Sequence, residues 1–131
     1  MAEGYTFIVD IDGTLCPIKA KDQHYKDLVP YPSMVEKLRK LREQGAKIVL
    51  YTSRNMNTYG GNLGQINLNT ARVLLDWIDK WEIPCDELLY GKPWPGHNGY
   101  YVDDRTIRPK EFLELELNEF EGVVERDRCK E

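Results

Sequence analysis

An α/β fold, built as one domain around a central parallel sheet with helices on both faces, is the class this sequence predicts. Three observations predict it. Short, nearly continuous apolar runs, YTFIVD at 5–10 and KIVLY at 47–51, read as buried parallel strands. Helical patterns alternate with these runs, which implies crossovers that cover the sheet on both sides. The clusters of charged residues come directly after strands, where open α/β sheets bind ligands.

The elements follow in order. The first strand ends in the turn IDGT, where Gly13 permits a tight reversal. Residues 15–32 are polar and irregular. Ser33 and Glu36 then read as a capping box, with Met34, Leu38 and Leu41 at helical spacing and Gly45 as the stop. After the KIVLY strand, residues 53–69 are rich in Asn and Gly without helical period and read as a long loop. A helix is expected over about 70–81, with Val73, Leu74, Trp77, Ile78 and Trp81 as its apolar stripe. Short strands are expected at 87–90 and 99–102, and a helical tail over about 118–128. No linker or internal repeat divides the chain, so 1–131 reads as a single domain.

Composition narrows the function. A net charge of -4 disfavours nucleic acid as the main partner, because a duplex needs a basic face. A small phosphorylated ligand needs only a few local cations and stays open. The sequence carries no apolar run that would span a membrane and no signal-peptide pattern, so no membrane partner and a cytoplasmic location are expected. Cys16, Cys85 and Cys129 are odd in number and widely spaced, and are expected to be reduced and non-catalytic. Neither Cys16 nor Cys85 is followed by an Arg six positions on, which excludes the cysteine loop of tyrosine phosphatases.

Four strand ends carry the candidate chemistry: Asp10-Ile11-Asp12-Gly13-Thr14, Thr52-Ser53-Arg54, Gly91-Lys92-Pro93 and Asp103-Asp104. In extended chain, residues two apart point the same way, so Asp10 and Asp12 would face one site. Two carboxylates that close repel unless a cation or a shared proton intervenes. Oxygen donors from Asp10, Asp12, Asp103 and Asp104 would suit Mg²⁺. Lys92 could meet a phosphoryl oxygen or the attacking carboxylate, and Thr52 could offer its hydroxyl. Ser53, Arg54, Asn55, Asn57, His97, Arg105 and Arg108 are candidate substrate contacts.

The series DIDGT, a strand ending in Thr52, then Lys92, then Asp103-Asp104 resembles the four motifs of the haloacid dehalogenase superfamily. That resemblance implies a Rossmann-like fold and an Mg²⁺-dependent phosphatase. It makes Asp10 the nucleophile and Asp12 the general acid/base, with its backbone carbonyl on the metal. Thr52 and Lys92 become the phosphate-orienting pair. Asp104 becomes the direct metal ligand, and Asp103 the partner of that ligand or of the lysine. An acid at position 12 favours phosphoryl transfer over dehalogenation, since a halide leaves without a proton. The intervals 15–51 and 53–91 are too short for a separate cap core, so a capless type is expected. Further segments, NMNTYGGNLGQIN, GKPWPGH and YVDDRTIRP, resemble small bacterial capsular polysaccharide biosynthesis phosphatases. The implied substrate is a small phosphorylated metabolite such as a sugar phosphate. A catalytically silent phospho-ligand-binding or assembly protein and a polynucleotide phosphatase are the alternatives. The loop at 55–69 would rim the pocket, with contacts in a homo-oligomer helping to cover it.

Overall fold

β1 (Thr6–Asp10), β2 (Lys47–Tyr51) and β3 (Glu87–Leu89) form a parallel sheet in the order β1-β2-β3 in a computed structural model that describes residues 1–130. Asp10 lies opposite Tyr51 and Leu50 opposite Leu88 in the register, so the strands end at one edge. Helices α1 (Pro32–Glu43) and α2 (Leu63–Lys80) supply the crossovers that parallel strands require. Ile48, Val49 and Leu50 are buried in succession. Successive strand residues point to opposite faces, so both faces of β2 are covered. The α/β class with helices interleaved between parallel strands is therefore the observed one.

The chain divides into two compact units, Met1–Trp94 and Pro95–Glu131. The first contains the sheet, α1 and α2, with a core that includes Ile11, Leu38, Ile48, Leu50, Leu74 and Trp77. The Trp77 indole N–H donates to the Leu28 carbonyl at 2.6 Å and pins the irregular segment before α1 to α2. In the second unit, α3 (Pro109–Glu114) and α4 (Phe120–Asp127) bring Phe112 and Phe120 into a ring stack 5.8 Å between centroids. No helix among the described residues is long and apolar enough to cross a membrane.

Two helix starts and two whole elements differ from expectation. α1 starts at Pro32 with Tyr31 as its N-cap, not at a Ser33 cap. Proline lacks the N–H that a first turn leaves unpaired and already has helical φ, so it takes the N1 position and moves Ser33 inside. α2 starts at Leu63 and absorbs seven residues expected in the loop 53–69. Asn62 is its cap, accepting the Gln65 N–H at 3.1 Å. Ile66 and Thr70 continue the buried stripe of Leu74 and Trp77 backward, while Gly64, Asn67 and Asn69 face solvent and hide the period. Residues 99–102 form no strand among the described residues, and Tyr100 and Val102 are exposed. An apolar run becomes a strand only when its backbone finds a ladder. α3 was not expected; Pro109 starts it and the Arg108 N–H donates to Glu111. The tail helix falls close to its expected place, as a 3₁₀ turn at Leu117–Glu119 followed by α4.

Candidate functional site

The last residue of β1 is Asp10, and Ile11 beyond it is fully buried. The Ile11 carbonyl accepts the N–H groups of Thr14, Leu15 and Cys16, which folds DIDGT into a tight turn. Gly13 has φ +86°, and a Cβ there would press on Ile18 at 3.3 Å. Glycine is therefore the residue this reversal tolerates. The turn leaves Asp10 and Asp12 half-buried, with side chains 30% and 24% exposed.

Each carboxylate has its own cation. Lys92 Nζ donates to Asp10 Oδ1 at 3.3 Å, and Thr14 Oγ1 donates to Asp10 Oδ2 at 3.1 Å. Arg54 grips Asp12 with two prongs: Nε to Oδ2 and Nη2 to Oδ1, both at 3.0 Å. The repulsion expected between two adjacent carboxylates is thus met within the chain, by one charge from beyond β3 and one from beyond β2. Gly91, with φ +83°, turns the chain before Lys92, and a Cβ at that glycine would strike Leu63 Cδ2 at 2.7 Å.

Thr52 follows β2 and is buried. Its N–H donates to the Leu89 carbonyl and its own carbonyl accepts the Lys92 N–H at 3.1 Å. Its hydroxyl oxygen accepts the Arg54 N–H at 3.0 Å. Backbone bonds therefore stitch Thr52 to Lys92, while side-chain bonds join Lys92 to Asp10 and Arg54 to Asp12. The sheet edge brings Asp10, Asp12, Thr52, Arg54 and Lys92 together inside the first unit.

The other candidate residues sit as follows. Ser53 is half-buried and its carbonyl accepts the Met56 N–H. Asn55 adopts a left-handed backbone, φ 62°, and accepts the Thr70 hydroxyl at 2.6 Å. That bond ties the loop to α2. Asn57 is exposed in the turns that follow. In the second unit, Asp103, Asp104, Arg105 and Arg108 are exposed, as is His97. Asp103 accepts the Arg105 N–H at 3.3 Å, which with the neighbouring Asp104 holds its carboxyl below the usual range. Asp104 lies 4.0 Å from Arg128, and Arg105 lies 3.8 Å from Glu121. Among the described residues, no three of His, Cys, Asp and Glu gather as a cation cluster.

Sequence reasoning missed two contributors. Thr14 lies in the motif already singled out, and its hydroxyl reaches back four residues to Asp10. Tyr25 lies in a stretch read only as irregular, and its ring stacks under the Arg54 guanidinium at 4.1 Å. Burial, with the charge of Asp12 adding to it, raises the Tyr25 hydroxyl above its ordinary pKa. Nothing local in the sequence points to that contact. All three cysteines are free thiols. Burial, reinforced by the charge of Asp12, pushes Cys16 up to about 12, so it stays protonated beside the site.

No family model and no curated protein matches the chain. Among solved structures, a protein from Vibrio cholerae, described as a structural-genomics target, superposes with a TM-score of 0.88. It is 43% identical, and the match covers 95% of this chain and 99% of that one. A chain of the Pnkp1/Rnl/Hen1 complex has the same fold, with a TM-score of 0.50 and 22% identity. That match takes in 84% of this chain and 33% of the other.

Proposed function

We propose that this chain, which belongs to the same family as the Vibrio cholerae protein, is a phosphomonoester hydrolase of the haloacid dehalogenase type. The observation that carries the reading is Asp10 at the end of β1, with Lys92 at 3.3 Å, Thr14 at 3.1 Å and Asp12 two residues on. One carboxylate has a cation and a hydroxyl on it, and a second carboxylate stands beside it on the same turn. That is what nucleophilic attack followed by proton transfer needs.

An Asp10 oxygen attacks phosphorus in line, and the bond from phosphorus to the leaving oxygen breaks. Asp12 gives its proton to that oxygen, which departs as an alcohol. Water then attacks the aspartyl-phosphate while Asp12 takes a proton from it. The phosphorus bond to Asp10 breaks, releasing inorganic phosphate and restoring the Asp10 carboxylate and the protonated Asp12. Lys92 and Thr52 orient the phosphoryl oxygens, and most of the rate comes from position and charge neutralisation.

The donors at the turn are hard oxygens, the Asp10 carboxylate and the Asp12 carbonyl, which fit Mg²⁺ better than a thiolate-seeking metal. When bound, Mg²⁺ supplies charge neutralisation for the phosphoryl group. The resemblance makes Asp104 the direct ligand of that cation and Asp103 the partner of that ligand or of Lys92. Mg²⁺ titrations of Asp103→Ala and Asp104→Ala decide which of the two binds it.

The substrate class is a small phosphorylated metabolite, a sugar phosphate in capsule polysaccharide synthesis being the first to try. Wild-type protein and Asp10→Asn are assayed against a panel of sugar phosphates and aryl phosphates, with and without Mg²⁺. Turnover that needs both Mg²⁺ and Asp10 supports the reading. A wild-type protein that binds these phosphates but never turns them over would make it a silent binding protein instead.

A further inference from the structure

We propose that Arg54 is a positioning residue that fixes the orientation of the Asp12 carboxyl group for its two proton transfers, to the leaving oxygen as the acid and from the attacking water as the carboxylate; the role rests on the hydrolase reading above. The Arg54 side chain is 1% exposed, so it is not a surface group waiting for a ligand. Both of its bonds to Asp12 are 3.0 Å long and use two different nitrogens against two different oxygens. A single hydrogen bond would let the carboxylate swing. Two parallel ones set its plane and its direction.

The guanidinium is itself held from several sides. The Tyr25 ring lies 4.1 Å from its central carbon and the Trp77 ring 5.8 Å. Trp77 is anchored in turn by its bond to the Leu28 carbonyl, and the Arg54 backbone is tied to the Thr52 hydroxyl. The support thus comes from the end of β2, the 3₁₀ turn at Tyr25–Asp27 and α2. Asp12 is the partner left 24% exposed, so it is the end of this chain of contacts that a substrate can reach. Burying a guanidinium is costly, and an ion pair of this kind is weak evidence for stability alone. Its geometry matches a group that must present one acid in one orientation.

A double-mutant cycle tests the role. Arg54→Ala, Arg54→Lys, Asp12→Asn and the Asp12→Asn/Arg54→Ala double variant are compared on β-glycerophosphate, an alkyl phosphate whose leaving oxygen needs a proton. Each Arg54 variant is expected to lose roughly ten- to a hundredfold in kcat with KM within about threefold. On the Asp12→Asn background, Arg54→Ala is expected to cost less than about twofold. Guanidinium at non-denaturing concentration is expected to restore part of kcat to Arg54→Ala. It is also expected to raise the Tm of the metal-free Arg54→Ala protein but not of the double variant. Arg54→Lys keeps charge and bulk, so it decides the matter if the alanine variant does not fold. Losses that multiply on the Asp12→Asn background, or that fall on KM, overturn the role and make Arg54 a substrate contact or a structural ion pair. An inactive wild type overturns the hydrolase reading, and this role with it.

Discussion

Asp10 and Lys92 are 82 residues apart in sequence and 3.3 Å apart at the edge of the sheet. The lysine is 19% exposed and the carboxylate 30%, so the pair is half-buried and less screened than a surface bridge. On the proposed mechanism this carboxylate attacks phosphorus. Asp10→Asn keeps the shape and removes the nucleophile, so turnover should disappear while the fold persists. Circular dichroism and thermal melting check the fold, and steady-state assays check the rate. Retention of about a tenth of wild-type kcat would overturn the covalent route.

Asp12 should reveal itself through the leaving group. An aryl oxygen departs with little help, whereas an alkyl oxygen needs a proton as it leaves. Asp12→Asn is therefore expected to slow alkyl phosphates more than aryl phosphates, by on the order of tenfold in the ratio. Comparing β-glycerophosphate with p-nitrophenyl phosphate measures that ratio directly. Equal losses on both substrates would remove Asp12 from the acid role.

The parts of the fold legible in sequence are those set by local pattern. KIVLY is apolar at every position but its first, and β2 runs over those same residues. The DIDGT turn is equally readable, because Gly13 and the alternation of Asp10 with Asp12 are local facts. α2 was half legible. Leu74, Trp77 and Ile78 mark its second half, but Gly64, Asn67 and Asn69 weaken the signal over a half whose Ile66 and Thr70 are buried by tertiary packing. Residues 99–102 show the opposite error, since Tyr-Tyr-Val has strand propensity and no ladder among the described residues. In the site, Asp10, Asp12, Thr52 and Lys92 were legible as residues at strand ends. The assignment of Arg54 to Asp12 was not. That pairing joins positions 42 apart and depends on Tyr25 and Trp77 closing around the guanidinium.

Trp77 offers a stability test of the same packing. Its N–H reaches the Leu28 carbonyl at 2.6 Å in a buried setting. Trp77→Phe leaves that carbonyl without its donor and opens space beside it. A loss of about 1–3 kcal/mol is expected, read as a lower urea midpoint with an unchanged m-value. A loss under about 0.5 kcal/mol would show that water or a neighbour satisfies Leu28 equally well.

Asp86 provides a pH-dependent stability test away from the site. Its Oδ2 accepts the Ile48 N–H at 2.8 Å, and its Oδ1 accepts Arg42 Nη2 at 2.8 Å and Nε at 3.1 Å. Its own N–H donates to the Ile48 carbonyl, so Asp86 clamps β2 at the start of β3. The Ile48 N–H is the main cause that holds its carboxyl below the ordinary range, with Arg42 adding to it against desolvation. A depressed folded pKa means that the carboxylate's contribution is complete above the unfolded value of about 3.9. It is lost as pH falls through the lower, folded value. Asp86→Ala should therefore cost about 1 kcal/mol near neutral pH, and the gap to wild type should narrow on acidification below about pH 4. Urea unfolding of both proteins across that range measures the gap. If it stays constant down to acid pH, the ionised carboxylate is not its source, and the Asp86 side chain stabilises the β2 edge without its charge.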